Sequence, residues 1–379
     1  MGGNGYALER YRRMRKKIVL VVGARPNFMK AAPLLKCFRE NEPEFESVLI
    51  HTGQHYDRQL SELFFEQLGL PEPDVFLGVG SATHAQQTAK IMIELEQAFQ
   101  RLRPDLLVVF GDVNSTMAAA IVAAKLRIKI AHVEAGLRSF DNSMPEEINR
   151  IVTDRLSDYL FVTEVSGIRN LKNEGVTAGK IFFTGNIMID SLVRNLEKAN
   201  SSNILNELSL EPKTYATFTL HRPANVDDSK ILSGMLRVIA AVGEQMPVVF
   251  PCHPRTKKRI EEFGLRHEVP NGNVRVIEPL GYLDFLKLQA DSRIVLTDSG
   301  GVQEETTFLR VPCVTLRENT ERPVTVDIGS NVLCGSDPGR IIETTWTILN
   351  GPEKKSAIPK YWDGQTSNRI VKILKTKLA

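Results

Sequence analysis

Three carboxylates, Asp112, Glu134 and Glu146, stand out in this 379-residue sequence because of what surrounds them. Carboxylates in different environments can divide acid and base work between them, one accepting a proton and another delivering one. Glu134 closes the run Ala131-His132-Val133-Glu134-Ala135-Gly136. A carboxylate at the end of a buried strand needs a partner or a function, which makes Glu134 a functional candidate. Asp112 reads either as chemistry or as the cap of a helix beginning near Asn114. Glu146 and Glu147 stand at a helix start, where the dipole favours either carboxylate. Arg25, Lys30, His221, Arg222 and Arg322 are candidate cationic partners for a diphosphate, arginine being suited to bidentate contact. Asp298-Ser299-Gly300-Gly301 leads directly into a helix-like stretch. Glycines there would let backbone approach a phosphate and offer it helix-start N–H groups, although Asp and Ser also serve as simple caps. Glu305, one turn on, is placed to accept hydrogen bonds from two ribose hydroxyls.

These residues share a position: they follow apolar runs. Ile18–Val22, Ser47–His51, Leu106–Phe110, Lys129–Val133, Tyr159–Val162 and Ile181–Thr184 read as buried strands. Helix-like stretches at Asp57–Leu68, Ala85–Leu102, Ser115–Leu126 and Glu146–Leu156 lie between them. The pattern restarts with strands at Tyr215–Leu220, Val248–Cys252, Val274–Ile277, Arg293–Leu296 and Cys313–Leu316, and helices at Ile231–Glu244, Tyr282–Ala290 and Val302–Arg310. Alternating strands and helices imply parallel sheets covered on both faces. The reading is α/β, with two doubly wound, Rossmann-like domains at 18–199 and 214–363. Residues 200–213 form a polar linker, and 364–379 a last helix after a basic tail at 1–17. Ligands of open parallel sheets bind beyond the carboxyl ends of the strands, so two such edges facing each other would make an interdomain cleft.

Bulk properties exclude several classes. The net charge is +3, but residues 1–17 alone carry +5, leaving a body near neutrality that is no nucleic-acid binder. No run reaches the roughly 18 apolar residues of a membrane span, and the run after the basic tail is too short for a secretion signal. Cys37, Cys252, Cys313 and Cys334 show no metal or disulfide spacing and suit a reduced, cytoplasmic setting. His51 and His55 do not form a helical metal pair, and Gly23-Ala24-Arg25-Pro26-Asn27 lacks the dinucleotide fingerprint, so neither metal nor nicotinamide is expected. His132 reads as a hydrogen-bonded core residue.

Gly23-Ala24-Arg25-Pro26, Thr52-Gly53-Gln54-His55, Gly111-Asp112, His132-Val133-Glu134-Ala135-Gly136-Leu137-Arg138 and Pro145-Glu146-Glu147-Ile148-Asn149-Arg150 resemble segments of the non-hydrolysing UDP-N-acetylglucosamine 2-epimerases. So do Thr184-Gly185-Asn186, Asp298-Ser299-Gly300-Gly301-Val302-Gln303-Glu304-Glu305 and Glu321-Arg322-Pro323. The ordered set runs from Ile18 to the C-terminus. The resemblance implies a glycosyltransferase-B-like fold and interconversion of UDP-N-acetylglucosamine and UDP-N-acetylmannosamine for surface polysaccharide synthesis, by a homodimer. It assigns catalysis to Asp112, Glu134, Glu146 and His221. It assigns substrate contact to Arg25, Lys30, Asp112, Glu134, His221, Phe285, Ser299, Gly300, Gly301, Glu305 and Arg322, and possible regulation by a second UDP sugar to Gln54 and His55. Asn27, Pro223, Leu280 and Val324 depart from the family pattern. Sister enzymes of the family act on related UDP sugars.

The implied chemistry accounts for the residue types. The proton on carbon 2 of the sugar is weakly acidic, but its removal while UDP leaves carbon 1 gives an alkene and no lasting carbanion. An acid and a base on opposite faces, and cations for the departing diphosphate, are then required. A glycosyltransferase of the same fold, a hydrolysing epimerase and a nucleotide-sugar-binding regulator are the competing readings; the three carboxylates favour epimerisation.

Overall fold

A computed structural model describes residues 15–41, 44–54, 69–352 and 354–379. The helix-like stretch 57–68, His55, most of the basic tail and the side chain of Arg25 lie outside the described residues. In chain order the elements are β1 (Lys16–Val22), α1 (Arg25–Arg39), β2 (Phe45–His51), β3 (Val75–Phe76), α2 (His84–Leu102), β4 (Leu106–Phe110), α3 (Asn114–Lys125), β5 (Lys129–Ala135), α4 (Pro145–Leu156), β6 (Tyr159–Val162), α5 (Val165–Asn173), β7 (Ile181–Phe183) and α6 (Ile187–Asn200). There follow α7 (Ile204–Glu207), β8 (Ala216–Thr219), α8 (Pro223–Val226), α9 (Ser229–Gly243), β9 (Val248–Pro251), α10 (Pro254–Glu262), β10 (Val274–Ile277), α11 (Tyr282–Ala290), β11 (Ile294–Thr297), α12 (Gly300–Leu309), β12 (Cys313–Thr315), α13 (Pro323–Asp327), β13 (Asn331–Leu333), α14 (Pro338–Asn350) and α15 (Thr366–Leu378).

The strands build two wholly parallel sheets, ordered β3-β2-β1-β4-β5-β6-β7 and β10-β9-β8-β11-β12-β13. Alternation along β1 shows why both faces must be covered. Ile18, Leu20 and Val22 pack with Phe28, Leu34 and Phe38 of α1, while Val19 and Val21 pack with Ile91, Leu95 and Phe99 of α2. The strand order reverses between β1 and β4 in the first sheet and between β8 and β11 in the second. These are the switch points where an open parallel sheet leaves a crevice beyond its carboxyl ends.

The chain divides into two units, residues up to Ser191 with Lys360–Ala379, and Leu192–Pro359. This differs from the sequence expectation in two ways. Residues 200–213 are no free linker: Ile204, Leu205 and Leu210 are buried with Tyr215 and Leu288 in the second unit. The division falls earlier, within α6. Residues 360–363 and the last helix belong to the first unit, where Ile370, Val371 and Leu374 join the α1 core. Asp190 caps α15 from outside, accepting from Thr366 N (3.0 Å), Ser367 N (2.7 Å) and Ser367 Oγ (2.6 Å). Among the described residues no helix is long and apolar enough to cross a membrane.

Candidate active site

In the first unit the candidate residues Lys30, Asp112 and Glu134 gather where β4 and β5 end. Glu134 was expected just after its strand. It lies instead inside β5, which runs on to Ala135 through a bulge at Val133/Ala135. Its φ is +76°, a left-handed conformation that a non-glycine residue adopts only where its surroundings fix it. The buried carboxylate pairs with the buried ammonium of Lys30 from α1. Gly111 makes room for this pair: a Cβ there would meet Lys30 Nζ at 2.9 Å. Asp112 follows, its carboxylate held by Arg150 of α4 and its carbonyl by Asn149 Nδ2 at 2.8 Å. Arg150 also holds Glu147 at 2.5 Å, and Glu147 accepts from the backbone of Ser139 and Phe140. Glu147 therefore organises the loop before α4, beyond any helix-dipole role. Glu146, its neighbour, is partly exposed, and its side chain makes no hydrogen bond or ion pair among the described residues.

The core reading of His132 holds, with more specificity than expected. Its ring is fully buried, with Nδ1 2.7 Å from Asp154 Oδ1 and Nε2 2.7 Å from Gly111 O. Each ring nitrogen thus faces an oxygen, a carboxylate on one side and a backbone carbonyl on the other. Burial alone would raise the pKa of Asp154, but His132 and Arg138 outweigh it and hold the carboxyl below its ordinary value. Gln54 is buried beyond β2, and its Oε1 accepts from Ser115 N (2.9 Å) and Ser115 Oγ (2.7 Å) at the start of α3. His51 accepts Gly53 N at Nδ1 (2.7 Å), and burial lowers its pKa to about 4, so the ring is neutral. Asn27 crosses the switch point, accepting Gly23 N at 3.2 Å and donating to Phe110 O at 3.0 Å.

In the second unit His221 follows β8 and Asp298 follows β11, so their contact also spans a switch point. Nδ1 of His221 donates to Asp298 Oδ1 at 2.9 Å, which fixes the ring and turns Nε2 away from the pair. Asp298 is fully buried and also accepts the backbone N–H groups of His221 (3.0 Å) and Arg222 (2.8 Å). Burial would raise its pKa, but these donors hold it below the ordinary carboxylate range. Asp298 is thus no helix cap but the orienting partner of His221, a role the linear motif does not announce. Ser299 is the N-cap residue of α12, yet its side chain makes no capping bond.

Beside Gly300, Arg322 donates from Nε to Glu304 (2.6 Å) and from Nη1 to Glu321 (2.8 Å). A Cβ on Gly300 would meet Arg322 Nη1 at 3.1 Å, so the glycine lets this guanidinium lie against the helix start. Glu321 also meets Arg317 (2.8 Å) and Arg222 (3.7 Å). Burial opposes its ionisation, but Arg322, Arg317 and Arg222 together hold its carboxyl far below the usual range. The Arg322 guanidinium therefore lies close to the helix start that carries the N–H groups of Gly300 and Gly301. Glu305, one turn on, is buried and takes Gln289 Nε2 at 2.8 Å. Burial and the adjacent Glu305 charge push the Tyr282 phenol well above its ordinary value. Phe285 is half-buried against the Tyr215–Leu288 cluster.

The structure therefore places Lys30, Gln54, Asp112, Glu134 and Glu146 in one unit, and His221, Arg222, Phe285, Ser299, Gly300, Gly301, Glu305 and Arg322 in the other. Two parallel α/β units of this construction, with candidate site residues at both switch points, define the glycosyltransferase-B-like class. A family model described as UDP-N-acetylglucosamine 2-epimerase matches residues 39–375. A Methanocaldococcus jannaschii protein named UDP-N-acetylglucosamine 2-epimerase is 42% identical over 365 residues, covering 94% of this chain and 98% of its own. A Pseudomonas aeruginosa protein named UDP-2,3-diacetamido-2,3-dideoxy-D-glucuronate 2-epimerase is 43% identical over 361 residues, covering 94% and 99%. A crystal structure of a Methanocaldococcus jannaschii UDP-GlcNAc 2-epimerase with UDP-GlcNAc and UDP superposes with a TM-score of 0.88 at 41% identity, covering 95% of this chain and 99% of that one. The chain belongs to the UDP-N-acetylglucosamine 2-epimerase family, a family of isomerases.

Proposed function

We propose that the protein interconverts UDP-N-acetylglucosamine and UDP-N-acetylmannosamine in the cytoplasm, as a homodimer, supplying surface polysaccharide synthesis. The observation that carries this reading is the buried Lys30–Glu134 pair on a left-handed bulge beside Asp112. It is a costly arrangement with no need of its own in the sheet. In this reading a carboxylate among Asp112, Glu134 and Glu146 takes the proton from carbon 2. The carbon 1–oxygen bond breaks with its electron pair going to UDP, leaving 2-acetamidoglucal. Another of these groups then delivers a proton to the opposite face as UDP returns. His221, oriented by Asp298, and the cations Arg25 and Arg322 stabilise the departing diphosphate. Ser299, Gly300 and Gly301 bind phosphate, Glu305 the ribose, and Phe285 lines the uridine. Gln54 and His55 are the candidate positions for regulation by a second sugar nucleotide.

No step needs a metal or a nicotinamide. Incubation with UDP-N-acetylglucosamine and a chelator, followed by NMR, should show a mixture containing UDP-N-acetylmannosamine. Activity lost to chelator and restored by a divalent cation would overturn the metal-free mechanism. The 43% identity to the Pseudomonas aeruginosa enzyme favours one second reading, a related diacetamido UDP sugar as substrate. The same assay with that sugar decides between them.

A further inference from the structure

Asp154 touches both ends of the segment that carries Glu134. Oδ1 lies 2.7 Å from His132 Nδ1, two residues before Glu134, and Oδ2 accepts Gly136 N at 3.0 Å, two residues after it. Between these anchors sit the register shift and the positive φ of Glu134. A carboxylate on α4 therefore fixes the chord of a bulge in the neighbouring strand. The imidazole extends the hold, because its Nε2 meets Gly111 O at 2.7 Å, and Gly111 N donates in turn to Val133 O at 3.0 Å. The peptide beginning at that Gly111 carbonyl leads into Asp112, whose own carbonyl is held from α4 by Asn149. Two carboxylates, one within β5 and one just after β4, are thus referenced to one buried side chain. Arg138 pairs with Asp154 Oδ2 through Nη1 at 2.7 Å and with Glu174 through Nη2 at 2.7 Å, so Glu174 supplies charge compensation outside the bracket.

We infer that Asp154, acting with His132, is a positioning residue for proton transfer. It brackets the Glu134 bulge and, through the imidazole, sets the turn that presents Asp112. This rests on the proposed epimerase reading. It explains why His132 and Asp154 are buried as a hydrogen-bonded polar pair when an apolar pair would fill the space at lower cost. Neither residue needs to touch substrate.

The test compares Asp154→Asn with Asp154→Ala in the full-length protein. Both remove the negative charge facing Arg138. Only asparagine keeps an acceptor for Gly136 N and a side-chain partner for the imidazole, which can remain hydrogen-bonded to Gly111 as the neutral Nε2–H tautomer. The Asn variant should keep kcat within about threefold of wild type, and the Ala variant should lose at least about tenfold in kcat, with KM and UDP affinity near wild type in both. Equal losses in the two variants, or losses that follow the thermal midpoint alone, would show a structural ion pair and overturn the inference. If Asp154→Ala does not fold, His132→Gln and His132→Asn give the same contrast. The glutamine amide reaches toward Gly111 O and should retain activity, whereas the asparagine amide reaches only toward Asp154 and should not. Crystal structures of the variants add a readout independent of turnover: Glu134 should leave positive φ in Asp154→Ala and keep it in Asp154→Asn. A wild-type protein inert toward both UDP sugars would sink the epimerase reading and leave this backbone readout standing. A Glu134 still at positive φ in Asp154→Ala would sink the bracket alone.

Discussion

Glu134 bears a backbone cost on the order of 1–3 kcal/mol for its left-handed φ, beyond the cost of burying its carboxylate. If that cost serves proton transfer, Glu134→Gln should lower turnover at least about 100-fold while leaving UDP affinity unchanged. In deuterated water the wild type should place deuterium at carbon 2, and the variant should do so far more slowly. Wild-type exchange in Glu134→Gln would reduce Glu134 to a structural group. Asp298→Asn tests the second unit. An amide can donate to Nδ1 and so release His221 into the wrong tautomer, which should lower kcat at least about tenfold with the fold intact. The same variant bears on acid stability. The pKa of Asp298 is depressed by folding, so its contribution is present above the unfolded carboxylate pKa and is lost as pH falls through the lower folded value. Thermal melts should therefore show a smaller drop on acidification for Asp298→Asn than for wild type. At this scale the sequence shows which groups can do chemistry, because a polar residue ending an apolar run is visible in one dimension. It does not show who holds whom: Arg150 on Asp112, Asp298 on His221 and Asp154 on Gly136 are pairings across 38, 77 and 18 positions of chain.

Helix α12 is the element that most directly links pattern to binding. Its first N–H groups follow Ser299, whose hydroxyl caps nothing, and Glu305 stands one turn in, fixed by Gln289. Glu305→Ala should weaken UDP binding by about 1.5–3 kcal/mol, a loss of roughly 10- to 150-fold, with little change in far-ultraviolet circular dichroism. Unchanged affinity by calorimetry would remove Glu305 from the nucleotide site. Most central strands and their following helices are legible in the sequence, since a strand buried on both faces must be continuously apolar. Val75–Phe76 and Asn331–Leu333 at the sheet edges are too short to give a period. The last residues of β5 are also hidden, because the polar Glu134 at the bulge interrupts the apolar run that marks a buried strand.

The two-unit organisation is visible as a restart of the strand–helix pattern, but its boundaries are not. Composition marks 200–213 as polar, whereas three buried side chains decide its allegiance, and burial is a tertiary property. The return of the chain to the first unit is likewise silent in the sequence. Deleting residues 366–379 would expose the α1 face now covered by Ile370, Val371 and Leu374, at about 1.5–3 kcal/mol for each side chain, and would uncap nothing in the second unit. Calorimetry should show the first unit's transition lowered while UDP still binds; an unshifted transition would show α15 to be dispensable.

That return path also sets an order of events during synthesis. Residues 192–359 must leave the ribosome before residues 360–379 can reach the α1 core they cover. At ribosomal rates the first sheet waits roughly 10–30 s with its α1 face uncovered, while the nested unit has all of its own chain in hand. The later-made unit can therefore mature first, and the early one is exposed to chaperones until the final helix arrives.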